Sequence, residues 1–91
     1  MTELLDALAD TGQTAEEQRA LRVAAAFYEI WIATRRTHGW QRNLVRETGL
    51  SRETIRRHIE DEKIRRGEMD PTPRYLAEQE RAAKRRAARE S

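Results

Sequence analysis

The sequence predicts a small all-α domain with a helix-turn-helix, built from about four or five helices of which the second is the longest. Three observations support this prediction. Apolar residues recur at helical spacing along most of the 91 residues. No stretch alternates apolar and polar residues between turn residues, as a strand would. Capping residues or glycines mark the ends of successive segments. A chain of this length forms one thin core.

Composition and charge exclude several classes of protein. The chain has no cysteine, so disulfides and thiolate metal sites are excluded and a reducing cytoplasm is expected. No apolar run approaches the roughly 20 residues of a membrane span, and the acidic start MTELLDALAD is unlike a secretory signal. The net charge is +2, but residues 81–89 hold five bases and no acid. Such a basic stripe suits a polyanionic partner.

The N-terminal part of the chain predicts two helices. The first spans about residues 3–9. Thr14 and Glu17 have the spacing of a capping box, in which each side chain bonds to the other's backbone amide. This pattern predicts a long helix over residues 15–37, closed near Gly39.

The long helix is apolar over an arc of roughly 220°, whereas a surface helix usually has a stripe of about 100°. One side of this arc is expected to pack on the following helices. Two explanations fit the other side: the first and last helices cover it, or it forms a homodimer interface. We favour the homodimer, with an interface formed by Val23, Phe27, Ile30 and Trp31.

Residues 41–62 predict two short helices joined by a tight turn. Gly49 lies where the chain needs a positive φ angle, which disfavours residues with a Cβ atom. Leu50 is the apolar residue that fills the turn, and Ser51 is the expected N-cap of the second helix. This arrangement is a helix-turn-helix.

The second helix of the pair, residues 52–62, has one apolar and one charged side. Ile55 and Ile59 are one turn apart and are expected to face the core. On the opposite side, arginine can bind guanine O6 and N7 with two hydrogen bonds, and glutamate can accept from cytosine N4 or orient a neighbouring arginine. The side chains predicted to contact bases are Ser51, Arg52, Glu53, Arg56 and Arg57.

With these residues in place, the segment resembles the DNA-binding core of small bacterial, phage and plasmid helix-turn-helix regulators. The resemblance rests on Gly49, Leu50 and Ile55 and covers about a third of the chain. Two positions depart from the family pattern, because Val45 stands where alanine is usual and His58 where an apolar residue is common. The resemblance implies that the second helix enters the major groove of double-stranded DNA.

Beyond the predicted domain 1–67, Pro71 and Pro73 predict an exposed linker over residues 68–73. A basic helix or tail follows over residues 74–91. Two explanations of this segment stay open: it contacts phosphates beside the major-groove site, or it is a solvated, partly disordered tail. The residues predicted to contact phosphate, here and in the helix-turn-helix, are Arg42, Thr54, Arg81, Lys84, Arg85 and Arg89.

The function expected from the sequence is that of a sequence-specific transcriptional regulator of the repressor type, cytoplasmic and associated with the nucleoid. Its expected partners are double-stranded DNA and a second copy of the chain. One alternative is a DNA-architectural, partition or excision factor of a mobile element that uses the same motif. The other is an interaction module that binds a protein partner through helix 15–37.

No catalytic residue, cofactor, metal site or membrane association is predicted, and the protein is not expected to be an enzyme. His38 and His58 have no neighbouring residues with metal-ligand spacing. The sequence also has no glycine-rich phosphate loop and no nucleophile motif.

Overall fold

The computed structural model describes residues 14–90, and all regular structure in that range is helical. Four helices are present there, which confirms the predicted all-α class. They are α1 (Ala15–Thr34), α2 (Trp40–Thr48), α3 (Arg52–Arg65) and α4 (Pro73–Glu90). The helix predicted over residues 3–9 lies outside the described residues.

The chain divides into two compact units. One unit is Leu21–Asp70, which contains most of α1 together with α2 and α3. Within the described residues, the other unit combines residues 14–20, which include the first turns of α1, with residues 71–90, which include α4. The predicted division grouped residues 14–20 with the helix-turn-helix, whereas the structure groups them with α4.

Helix α1 begins as the sequence predicts and ends earlier. The Thr14 hydroxyl accepts a hydrogen bond from the backbone amide of Glu17 at 3.0 Å, as an N-cap should. The helix ends at Thr34 and not near residue 37. The Thr37 amide donates to the Thr34 carbonyl at 2.8 Å, a bond of the 3₁₀ type that tightens the chain after the last turn. Gly39 then adopts a φ angle of 79° at the start of α2.

The turn between α2 and α3 has the predicted geometry. Gly49 has a φ angle of 74°, and its amide donates to the Val45 carbonyl at 2.9 Å. The Thr48 hydroxyl accepts from the Leu50 amide at 3.2 Å. Ser51 caps α3, because its hydroxyl accepts from the Thr54 amide at 3.1 Å. The turn glycine and the capping serine are therefore confirmed.

The hydrophobic core of the unit Leu21–Asp70 joins its three helices. Phe27 of α1, Leu44 of α2, and Ile55 and Ile59 of α3 form one buried cluster. Ile55 is 1% exposed, which confirms the predicted inward face of α3. The partly buried apolar residues that pack against the cluster are Val23, Trp31, Trp40, Val45 and Leu50.

A polar network connects the C-terminal end of α3 to α1. The Glu62 side chain is fully buried and accepts hydrogen bonds from Arg65 at 2.6 and 2.9 Å and from Arg66 at 2.7 Å. Arg66 also lies over the Tyr28 ring, 4.0 Å from its centre, and binds Glu29 at 3.1 Å. Burial raises the pKa of Glu62, but the hydrogen bonds from Arg65 and Arg66 outweigh burial and bring that pKa below its ordinary value.

Two aromatic residues of α1 extend this connection. The Tyr28 hydroxyl donates to the Glu68 carboxylate at 2.6–2.7 Å. The Lys63 ammonium lies 3.9 Å from the centre of the Trp31 ring, within the range of a cation–π contact. The end of α3 is thus held to α1 by hydrogen bonds and by stacking, in addition to the apolar core.

Helix α4 corrects one boundary of the predicted linker 68–73. Pro73 does not end a helix but is the first residue of α4. Proline is favoured at this position because the first helical amides have no partner within the helix. The Thr72 hydroxyl accepts from the Tyr75 amide at 3.1 Å and caps the helix. Within residues 74–90, the structure shows a helix and not an irregular tail.

We predict that Gly49→Ala lowers the free energy of unfolding by about 1 kcal/mol, because the left-handed backbone strains a residue with a Cβ atom. Beyond the two neighbouring residues of the chain, a Cβ atom at this position would meet no atom within 4 Å, so backbone strain is the main cost. Urea denaturation measures the effect. Gly49→Asn is the control and should lose less, since asparagine tolerates this conformation. An unchanged urea midpoint for Gly49→Ala would contradict the turn geometry.

We predict that Glu62→Gln destabilises the protein at neutral pH and that the difference from the natural chain shrinks in acid. A carboxylate whose pKa is lowered on folding stabilises the fold above its unfolded pKa, and this contribution is lost as the pH falls through the folded pKa. The difference should therefore decrease below about pH 4.3. Urea denaturation from pH 7 to pH 3 measures it, with exposed Glu47→Gln as control. A pH-independent difference would argue against the network.

Candidate nucleic-acid interface

The exposed face of α3 carries the side chains that the sequence predicts to contact bases. Because Ile55 and Ile59 are buried in the core, the rotation of α3 about its own axis is set. The opposite side of the helix is left to solvent. All five predicted base-contacting residues are exposed: Ser51, Arg52, Glu53, Arg56 and Arg57.

The two hydroxyl residues at the start of α3 are occupied in capping the helix. The Ser51 hydroxyl accepts from the Thr54 amide and also lies 3.0 Å from the Thr54 hydroxyl. Thr54, a predicted phosphate contact, is half-buried. The main role of this pair in the structure is therefore to start the helix.

Arg56 lies between two carboxylates of its own helix. Its Nη2 is 2.7 Å from Glu53 Oε1, and its Nη1 is 2.9 Å from Glu60 Oε2. The hydrogen bond and charge of Glu53, followed by the charge of Glu60, raise the pKa of Arg56 above its usual value. Glu60 is not among the predicted base contacts, although the helical period places it on the same side of α3. The i,i+4 spacing from Arg56 to Glu60 is the signal that would have identified it.

A shallow, open cleft brings Arg42, a predicted phosphate contact, to the predicted base contact Arg52. The cleft has a volume of about 150 Å³ and is lined by His38, Gly39, Trp40, Gln41, Arg42 and Arg52. Gly39 precedes α2, and no side chain among the described residues caps that helix. The first amides of a helix and its dipole favour an anion. The cleft therefore combines two guanidinium groups with the positive end of α2.

The predicted phosphate contacts on α4 are partly compensated by acids of the same helix. Arg81 forms an ion pair with Glu78, and this bond brings the pKa of Glu78 below its ordinary value. Lys84 lies 3.4 Å from Glu80. These side chains are all exposed, and exposed pairs of this kind stabilise a protein by about 1 kcal/mol at most.

Glu17, in the first turn of α1, partners two more bases of α4. Its carboxylate lies 4.0 Å from Arg85 and 3.6 Å from Arg86. The Glu17 side chain is only 18% exposed. The predicted phosphate contact Arg85 therefore has an acidic neighbour within its own unit. Arg89, the last predicted contact, is exposed near the end of the helix.

Three of the four residues predicted to form a dimer interface pack within their own chain. Phe27 belongs to the buried core of its own chain, and Val23 and Trp31 pack against that core. They are predicted to contact a second copy because one side of the apolar arc is expected to pack on the following helices and the other side has no obvious partner. Phe27 lies instead on the side that packs with α2 and α3. Of the four predicted interface residues, Ile30 alone is exposed, at 38%. The homodimer itself stays a prediction.

The two histidines have different surroundings. His58, where the resembled family usually has an apolar residue, stacks on Phe27 with ring centres 5.4 Å apart and nearly parallel planes. It therefore packs as an apolar residue would. His38 is exposed and lines the cleft.

Across residues 14–90 there is no group of three His, Asp or Glu residues placed to hold a metal ion. No helix in that range is long and apolar enough to cross a membrane.

Comparison of the chain with protein-family models, with curated proteins and with solved structures gives no significant match. The function is therefore inferred from the exposed face of α3 and from the cleft at Arg42 and Arg52.

We predict that Phe27→Asp unfolds the chain and that Ile30→Asp does not. The first change buries a charge without a partner in the core, whereas the second adds a charge at an exposed position and should change the free energy of unfolding by less than about 0.5 kcal/mol. Circular dichroism during urea denaturation measures both. A folded Phe27→Asp chain would contradict the core assignment.

Sedimentation of the natural chain and of Ile30→Asp tests the homodimer. A monomeric natural chain would refute the homodimer.

Proposed function

We propose that the protein binds double-stranded DNA at specific sequences, with α3 in the major groove, and acts as a regulator of transcription. The observation that carries this proposal is the exposed face of α3, where arginine and glutamate side chains project from a helix whose opposite side is buried. A capped helix that follows a tight turn and is held on its apolar side can be presented to a groove as a rigid element.

The dimensions of α3 suit this role. Its 14 residues make a helix about 21 Å long, and the major groove is about 12 Å wide. Helix-turn-helix proteins contact base edges mainly with the N-terminal residues of the second helix. Arg52, Glu53, Arg56 and Arg57 all belong to the first two turns of α3. Residues near its C-terminal end are instead used in the network around Glu62.

The cleft supports a phosphate contact beside the base-contacting face. Arg42 and Arg52 both line it, next to the uncapped start of α2. A phosphate group there would receive hydrogen bonds from guanidinium groups and from helix amides. The cations of α4 support a weaker contribution, because Arg81, Lys84 and Arg85 have carboxylate neighbours that DNA would need to replace.

The alternative function as a protein-interaction module through helix 15–37 has less support. Phe27 and Tyr28 are buried in the chain's own structure, and Trp31 packs against its core. On α1, the large apolar side chains that stay exposed among the described residues are Ile30 and Ile32.

A DNA-architectural, partition or excision role uses the same contacts as a regulator. Cooperative binding to many adjacent sites would distinguish it.

We predict that Arg57→Ala lowers affinity for the preferred site by about 1–3 kcal/mol, that is by about fivefold to 150-fold, if this arginine contacts a base. Selection of bound fragments from random duplex DNA identifies that site, and titration at several salt concentrations measures the affinity. Arg42→Ala should weaken binding to all sequences about equally and should reduce the salt dependence by about one counterion.

Arg22→Ala is the matched control, because it removes an exposed arginine of α1 that belongs neither to α3 nor to the cleft. It should change affinity much less than the other two substitutions. If selection recovers no preferred sequence, or if all three variants bind as the natural chain does, the proposed function is refuted.

A further inference from the structure

The centre of the exposed face of α3 is occupied by three side chains that bind one another. Arg56 Nη2 contacts Glu53 Oε1 at 2.7 Å, and Arg56 Nη1 contacts Glu60 at 2.9 and 3.4 Å. We call these three residues the Arg56 clamp. Arg56 and Glu53 are more than half exposed, while the side chain of Glu60 is 20% exposed. The clamp therefore lies on the surface that DNA would approach.

The clamp has a charge that opposes non-specific DNA binding. One guanidinium and two carboxylates carry a net formal charge of −1 (+1 − 2). Like charges a few ångströms apart repel each other in water and do so more strongly in a desolvated interface. A duplex that offers only its phosphates therefore meets repulsion at the centre of α3. The flanking arginines Arg52 and Arg57 attract it at the same time.

The clamp also requires particular hydrogen-bonding groups from its partner. Phosphate oxygens are acceptors only and cannot bind the carboxylates of Glu53 and Glu60. The major-groove edges of the bases offer both kinds of group: guanine presents the acceptors O6 and N7, and cytosine presents the N4 amino donor. If Arg56 turns to guanine, the carboxylate that it leaves can accept a bond from cytosine N4. In this exchange Arg56 keeps one carboxylate, and the carboxylate that it releases gains the cytosine amino group.

We propose that the Arg56 clamp is a specificity filter. It repels duplex that lacks a matching base pair. It opens on a G·C pair, where guanine binds Arg56 and cytosine N4 binds Glu53 or Glu60. This inference rests on the proposed function. It makes Glu53 and Glu60 determinants of selectivity, because both hold Arg56 in the closed clamp and either can accept a bond from cytosine N4.

The test is the double substitution Glu53→Gln with Glu60→Gln, which keeps side-chain size and removes both carboxylates. The matched control is Glu47→Gln with Asp70→Asn, which removes two exposed carboxylates outside the clamp. Each protein is titrated with the duplex recovered by selection and with a mixed-sequence duplex of equal length. Circular dichroism verifies that both variants are folded.

We expect the clamp variant to bind mixed-sequence duplex about tenfold more tightly than the natural chain, since two repulsive charges are lost. Its affinity for the selected duplex should rise much less, so the ratio of the two affinities falls. The control should raise both affinities by a similar factor. Replacing the G·C pair under the clamp by A·T should weaken both proteins, because both keep Arg56, but should weaken the natural chain more, because only the natural chain also loses a carboxylate bond to cytosine N4.

The experiment distinguishes failure of the filter from failure of the proposed function. If the natural chain binds duplex selectively but the clamp and control variants shift both affinities alike, the filter is refuted and the proposed function stands. If the natural chain binds neither duplex, the proposed function fails and the filter fails with it.

Discussion

The burial of Ile55 and Ile59 against Phe27 and Leu44 is the constraint on which the rest of this structure depends. Full burial of one such side chain contributes roughly 1.5–3 kcal/mol, which is a large share of the stability of a small domain. It also sets which side of α3 faces solvent. Because Ile55 and Ile59 are buried on one side of α3, the arginines on the opposite side are exposed.

The buried carboxylate of Glu62 secures the other end of the same helix by a different interaction. A charged group without partners would be costly in this position, but Arg65 and Arg66 both donate to it. Arg66 then continues to Tyr28 and Glu29 of α1. The apolar cluster holds the middle of α3, and this network holds its C-terminal end. The first turns are thus left to make contacts outside the chain.

Local signals in the sequence predicted the features that depend on local physics. Gly49 and Ser51 marked the turn and the cap, since a positive φ angle and an unpaired helix amide demand particular residue types. Phe27, which is predicted at a dimer interface, lies in the buried core of its own chain. Periodicity shows how wide an apolar face is, but not how many helices of the same chain pack on it. The pairing of Glu60 with Arg56, by contrast, follows from their i,i+4 spacing.

Under the proposed function, the placement of acids gives the two basic helices different roles. On α4, Arg81 and Lys84 pair with exposed glutamates, and pairs of this kind contribute only about 0.3–0.5 kcal/mol each. A phosphate can replace such a carboxylate at little cost. On α3, one arginine is held by two carboxylates, and a phosphate must displace both. Helix α4 therefore suits sequence-independent attraction, and α3 suits selective contact, although both helices are rich in arginine.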